Sequence, residues 1–250
     1  MNSRRSLWKR TKFWFFKYKT LALRVIVKGG LKTTVFNQFA HEYDEWFDIH
    51  RYAYLSELEA IRRFIPGGGA GVEVGVGTGR FAAPLGIAIG VEPSESMAII
   101  ARSRGIEVKQ AEAEDLPFTE NTFDFVLQVN VICFLDDPVR ALKESGRILK
   151  PNDRLILAMI DKSTKLGRAY ESRKASNKFY EKATFFSGQQ GIGFLQKAGF
   201  VEIQSCQTIF TSPTEMTAPD PVRNGHGQGG FVVFRGRKGI NLDYSYLTLP

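Results

Sequence analysis

Gly75, Gly77 and Gly79 stand two residues apart after Gly71-Val72-Glu73-Val74, a run whose β-branched residues alternate as in a buried strand. Glycine has no Cβ, so such a turn can bring bare backbone N–H groups against a flat or anionic ligand, and it tolerates positive φ. Glu73 lies just before the first glycine. Glu92 closes a second apolar run, Ile87-Ala88-Ile89-Gly90-Val91, and a carboxylate at a strand tip can accept two hydrogen bonds from a ribose diol. A third carboxylate, Glu112, follows a third strand at about 107–110. These residues suit the holding of a nucleoside. A dinucleotide turn wants Gly-x-Gly-x-x-Gly, which counted from Gly75 requires glycine at position 80. The chain has Arg80 there, so the spacing disfavours a pyrophosphate.

Positioning these residues takes a sheet with helices between its strands. Tyr54, Leu58, Ile61 and Ile65 make one apolar helix face that Pro66-Gly67-Gly68-Gly69 stops. Ser94 can cap a helix running to about Arg104. Phe123 to Val129 reads as the fourth strand, with Asn130-Val131-Ile132-Cys133-Phe134 at its carboxyl edge, where the reacting end of a substrate should lie. Asp137 and Pro138 open a helix whose stripe of Val139, Leu142, Gly146 and Leu149 halts at Pro151. Arg154 to Asp161 is a near-continuous apolar strand, as a doubly covered central strand should be. Residues 162–185 are polar and aromatic with weak periodicity, an inserted helix or loop that could lid the pocket. Ser187 and Gln190 form a capping box for a helix closed by Gly199. Strands at 201–210 and 231–234 flank a polar glycine-rich loop at 224–230.

Four segments carry a family likeness. Glu73 with Gly75-Val76-Gly77-Thr78-Gly79 resembles the first motif of the class I S-adenosylmethionine-dependent methyltransferases. Glu92-Pro93-Ser94, followed by Met97, resembles the second, and Ala111-Glu112-Ala113-Glu114-Asp115-Leu116-Pro117-Phe118 resembles Gly-Asp-Ala-x-x-Leu-Pro-Phe. Here Glu112 replaces the usual Asp and Ala111 the glycine, which keeps an acceptor for the adenine amino group at a longer reach. Tyr43-Asp44-Glu45-Trp46-Phe47 resembles the amino-terminal cap in which an aromatic residue covers the cofactor, although these rings would equally pack a helix on the sheet.

The resemblance implies S-adenosyl-L-methionine as cofactor, held by Tyr43, Glu73, Gly75, Gly77, Gly79, Glu92, Pro93, Glu112, Ala113 and Gln128. It also implies a Rossmann-like, doubly wound α/β sheet of seven strands in the order 3-2-1-4-5-7-6, mostly parallel with an antiparallel last strand. The ordering is most similar to the small-molecule branch called methyltransferase type 11, which includes quinone-biosynthesis enzymes. It covers about residues 36–161 with specific motifs and 186–236 more loosely.

The net charge of +8 suggests a nucleic-acid binder until it is mapped. Residues 1–32 hold ten Lys or Arg and no acid, which leaves 24 basic and 26 acidic side chains elsewhere, so bulk charge carries no such argument. The place of an Asn/Asp-Pro-Pro-aromatic tetrapeptide reads Gln128-Val129-Asn130-Val131, and Cys133 lacks a preceding proline. Both absences disfavour methylation of nucleic-acid bases and leave a small-molecule acceptor.

Residues 1–35 read as a basic aromatic extension, disordered or peripheral, 36–240 as the methyltransferase domain and 241–250 as a tail. The extension has no apolar run long enough to span a membrane, but residues 1–32 could rest on anionic lipid. Two cysteines, Cys133 and Cys206, are too few for a disulfide framework and lack metal spacing, in keeping with a reducing, cytoplasmic setting. No catalytic constellation is visible. His41, His50 and His226 are the titratable candidates, and each reads more readily as a surface or packing residue. A non-catalytic cofactor binder or membrane-surface protein, and an NAD(P)-dependent oxidoreductase, stay open as alternatives.

Overall fold

In the computed structural model, which describes residues 33–239, the apolar runs become the strands of one sheet. β1 (Gly71–Val74), β2 (Ile89–Val91), β3 (Glu107–Lys109), β4 (Phe123–Val129) and β5 (Leu149–Ile160) are parallel and lie in the order 3-2-1-4-5. Of the remaining three, β6 (Phe200–Thr208), β7 (Arg223–Asn224) and β8 (Phe231–Lys238), β8 runs antiparallel between β5 and β6. β7 pairs antiparallel with the outer edge of β6. The expected seven-strand order is present with this short edge strand added, because two residues within a polar loop carry no periodicity to read.

The helices are α1 (Thr33–Gln38), α2 (Ala40–Ile49), α3 (Arg51–Arg62), α4 (Glu95–Ser103), α5 (Pro138–Ile148), α6 (Lys165–Arg173) and α7 (Gly188–Lys197). Side-chain caps start four of them, since the first N–H groups of a helix lack internal partners. Ser94 Oγ accepts from Met97, Asp137 from Arg140, Thr164 from Gly167 and Ser187 from Gln190, the last as a reciprocal capping box. α1 begins at Thr33, so ordered structure crosses the domain start read at residue 36 from composition. The extension itself, residues 1–32, and the tail lie outside the described residues.

Alternation along each strand divides the core into two layers. On β5, Ile156 and Ala158 join Leu58 and Ile61 of α3 and Ala98 and Ala101 of α4, while Leu155, Leu157 and Met159 meet Leu142 and Ile148 of α5 and Leu195 of α7. Complete burial of each of these leucines contributes roughly 2 kcal/mol of transfer free energy. The same alternation orients the polar residues. Val72 and Val74 face the α5 layer, which turns Glu73 toward α3, and Val126 faces α5, which turns Gln128 the same way.

Several boundaries differ from the sequence reading: β5 starts at Leu149 where the apolar run begins at Arg154, and β8 continues past Phe234 to Lys238. α5 ends at Ile148, not Pro151, because the residues before a proline resist helical geometry and Leu149 already pairs with Phe123. The register then shifts between Phe123 and Phe125, with Asn152 at φ 67° in the irregular stretch of β5.

Candidate functional site

The glycine turn after β1 is held by its neighbour strand, with the Gly75 and Val76 N–H groups both donating to the Val91 carbonyl at 2.8 and 2.9 Å. Gly75 sits at φ 72°, and a Cβ there would lie 2.2 Å from Val131 Cγ2. Gly77, at φ 54°, faces open space with only Tyr43 Cε1 within reach at 3.9 Å. Its N–H donates to Glu92 Oε2 at 2.9 Å, while the Ser94 N–H donates to Glu92 Oε1 at 2.9 Å. Glu92 is thereby fixed at the tip of β2. Burial pushes its carboxyl up to about 7, against the two backbone hydrogen bonds that favour the charged form.

A cavity of about 740 Å³ opens above this turn at the carboxyl edge of the parallel strands. Of the expected residues, Gly75, Gly77, Glu92 and Pro93 form one end of its wall. Glu112 and Ala113, after β3, form another part, and Tyr43 of α2 covers it. The lining is acidic: Glu92, Glu112, Glu114, Asp115, Asp136 and Asp137 stand against one cation, Arg140. Burial, with Glu114 and Asp136 nearby, also raises the Glu112 carboxyl.

Three expected residues are not on that wall. Gly79 turns away at φ 83°, and a Cβ on it would meet Ile106 Cδ1 at 2.5 Å, so it serves the packing of α4 and β3. Gln128 is fully buried on the α5 side and donates from Nε2 to Ser145 Oγ at 2.8 Å, an outcome of the β4 alternation. Glu73 lies buried beneath the turn, off the cavity wall. Burial holds its carboxyl well above the usual range, opposed by a hydrogen bond from the Ala82 N–H, and Oε2 has no partner among the described residues.

An ionic clamp sets the roof. Arg80 places Nε and Nη2 on Asp44 at 2.9 and 2.7 Å and reaches Asp48 at 2.7 Å, and Arg104 meets Asp44 at 2.7 Å. Burial opposes the charge on Asp44, but hydrogen bonds from Arg80 and Arg104 prevail and hold its carboxyl well below the usual carboxylate range. Arg80, the residue that breaks the dinucleotide spacing, thus pins α2 over the glycine turn. Tyr43 is packed edge-on to Phe36, Phe47 and Phe179 at 5.5–5.7 Å, and burial raises its phenol above the ordinary value.

The far end is formed by the carboxyl edge of β4 and the 162–185 segment, both expected near the reacting end, and by Glu57, which sequence reasoning missed. Asn130, at φ 54° just past β4, lines the large cavity and also a second one of about 140 Å³ behind Tyr43. The 162–185 segment walls that second cavity through Tyr170, Asn177, Phe179 and Tyr180 and none of the first. It is tied to α2 by an ion pair between Lys178 and Glu42. Glu57 of α3 also lines the small cavity. A signal for it existed, since Glu57 lies three residues after Tyr54 and four before Ile61, placing a carboxylate on the apolar helix face.

Comparison with known proteins places this architecture. A family model described as a methyltransferase domain matches residues 72–157. A protein of Methanocaldococcus jannaschii, named only as uncharacterized, is 44% identical over 204 residues, 82% of this chain and 98% of the relative. A crystal structure of a SAM-dependent methyltransferase from Thermotoga maritima, described as a possible histamine N-methyltransferase, is 52% identical with a TM-score of 0.80, covering 82% of this chain and 98% of that one. A ubiquinone/menaquinone biosynthesis C-methyltransferase of Idiomarina loihiensis is 30% identical over 168 residues, 58% of this chain and 65% of the relative.

Proposed function

We propose, on the premise that the chain belongs to the class I S-adenosylmethionine-dependent methyltransferases of type 11, that it moves a methyl group onto a small-molecule acceptor at the junction of the two cavities. The observation that carries this reading is the large cavity whose floor is Gly77 and Glu92 and whose cover is Tyr43. Its size lies within the range of cofactor pockets, and its acidic lining suits a sulfonium and an ammonium and opposes a pyrophosphate. That lining speaks against the nicotinamide-dependent alternative.

When bound, the cofactor supplies an activated methyl group, which an acceptor's lone pair takes while the carbon–sulfur electron pair stays on sulfur. The protein's part is placement, which by itself lowers a displacement barrier by several kcal/mol. In this reading Glu92 accepts from the ribose hydroxyls and Glu112 from the adenine amino group, Ala113 borders the ring, and Gly75, Gly77 and Pro93 leave room for the sugar and methionine portions. Tyr43 and Asn130 stand between the cofactor and the acceptor. One of the relatives named above is described as a possible histamine N-methyltransferase and another as a quinone-biosynthesis C-methyltransferase, and a small-molecule acceptor is common to both descriptions. Contact of residues 1–32 with anionic membrane is a separate expectation, tested by sedimentation with phosphatidylserine vesicles. Among the described residues no helix is long and apolar enough to cross a membrane.

Calorimetry with S-adenosylhomocysteine tests the assignment. Glu92→Ala should weaken binding by about 1–3 kcal/mol, the worth of charge-assisted hydrogen bonds. Hydroxyl donors favour the ionised carboxylate, so wild-type affinity should rise as pH increases through about 7 and level off above it. An Ala variant with unchanged affinity, or tighter binding of NADH than of S-adenosylhomocysteine, would remove the proposal.

A further inference from the structure

Behind Tyr43 and Asn130, which line both cavities, the smaller one encloses about 140 Å³. An engineered protein cavity of about 150 Å³ admits benzene, so this space suits a small ring or a branched amine head. Its walls are aromatic, with Tyr43, Trp46, Phe47, Tyr170, Phe179 and Tyr180 on them. Two carboxylates reach it. Glu42 is paired with Lys178, whereas Glu57, only 7% exposed, has no hydrogen bond or ion pair among the described residues.

A lone carboxylate in an apolar site is costly and does not persist without a compensating charge. Among the described residues no cation lines the cavity. Aromatic walls attract a cation further, through their ring quadrupoles. We infer that this cavity is the acceptor subsite and that it takes an amine, with Glu57 as the counter-charge that seats its nitrogen between Tyr43 and Asn130. The inference deepens the methyltransferase reading and rests on it for the reaction, but not for the binding.

The assignment also settles where the proton goes. An amine enters mostly as an ammonium and must lose one proton before its lone pair can take the methyl carbon. Paired with the ammonium, Glu57 is a carboxylate; it receives that proton and becomes the neutral carboxyl it is in the empty cavity, the methylated nitrogen carries the new positive charge, and the one proton that each cycle releases goes to water when an ammonium binds. In the empty cavity burial pushes Glu57 up to about 8, so at pH 7 it begins largely neutral. Tyr43, Tyr170 and Tyr180 are the titratable groups facing it, all neutral because burial raises their phenols, and Glu42 stays compensated by Lys178. Pairing with an ammonium therefore releases close to one proton to the buffer.

The test is calorimetry on the full chain, with and without saturating S-adenosylhomocysteine, using benzylamine and 2-phenylethylamine against benzyl alcohol and 2-phenylethanol. The amines should bind at least tenfold more tightly than the alcohols, and titrations at pH 7 in buffers of different ionisation enthalpy should show near-unit proton release. Glu57→Gln, which keeps the shape, should lose at least tenfold for the amines and abolish the release while leaving S-adenosylhomocysteine affinity unchanged. Tyr52→Phe, at an exposed position of α3 outside both cavities, controls for the substitution itself and should leave that discrimination within about threefold. Equal binding of amines and alcohols, tighter alcohol binding, no binding of either, or an unaltered Glu57→Gln variant would each overturn the amine subsite. Loss of S-adenosylhomocysteine binding by the wild type would instead overturn the methyltransferase reading, with the amine result still legible.

Discussion

Gly75 and Gly77 have the same residue type and similar backbone geometry, yet different reasons for being glycine. A Cβ on Gly75 would overlap Val131 Cγ2 at 2.2 Å, whereas one on Gly77 would project into the cavity with its nearest neighbour 3.9 Å away. Both also carry the strain of a side chain at positive φ, roughly 1–2 kcal/mol. Gly75→Ala should therefore lower unfolding free energy by about 3 kcal/mol or more. Gly77→Ala should cost no more than about 2 kcal/mol in stability but at least tenfold in S-adenosylhomocysteine affinity. Thermal melts with calorimetry separate the two, and equal effects on stability would refute the division of roles. The residue scale also shows why Gln128 and Gly79 mislead: each falls on a motif position, but the direction of its side chain or missing Cβ is set by packing partners, Ser145 for one and Ile106 for the other.

At the scale of elements, α2 is held over the glycine turn by charge. Asp44 and Arg80 are each 15% exposed at the side chain, intermediate between a surface pair worth under 1 kcal/mol and a buried one whose breakage costs 3–5. Asp44→Asn should thus destabilise the protein by about 2 kcal/mol at neutral pH. The folded-state pKa of Asp44 lies below its ordinary 3.8, so this contribution is fully present above that value and disappears as pH falls through the folded pKa. Denaturant unfolding should show a constant gap between wild type and variant from pH 7 to about 4.5, closing below about pH 4. A gap that instead widened with acid would show that Asp44 is not ionised in the clamp. The inserted segment acts on the other side of α2, through Lys178 and Phe179, so one short helix carries the wall between the two cavities.

For the whole molecule, the strand tips, α2 and the 162–185 segment meet only in the folded chain, so a ligand that spans them should stabilise all of it together. At a hundred times its dissociation constant, S-adenosylhomocysteine should add about 2.7 kcal/mol, a rise of roughly 5–10 °C in Tm for a domain this size. No shift at that saturation would mean that the cavity is not its site. The strands, the glycine turn and Glu92 were legible in the sequence, because strand alternation, glycine spacing and caps are local: each is dictated by residues within a few positions of one another, whereas the order of the strands followed only from the family resemblance. Tyr43 was legible as an aromatic residue that either covers the cofactor or packs its helix, and Glu57 was missed although its place on an apolar helix face marked it. What those rings and that carboxylate line, the tertiary structure alone decided. Tyr43, Glu57, Asn130 and Tyr170 come from three helices and the end of β4, and no spacing along the chain relates them; only the sheet on which those helices pack brings an unpartnered carboxyl and an aromatic wall into one cavity.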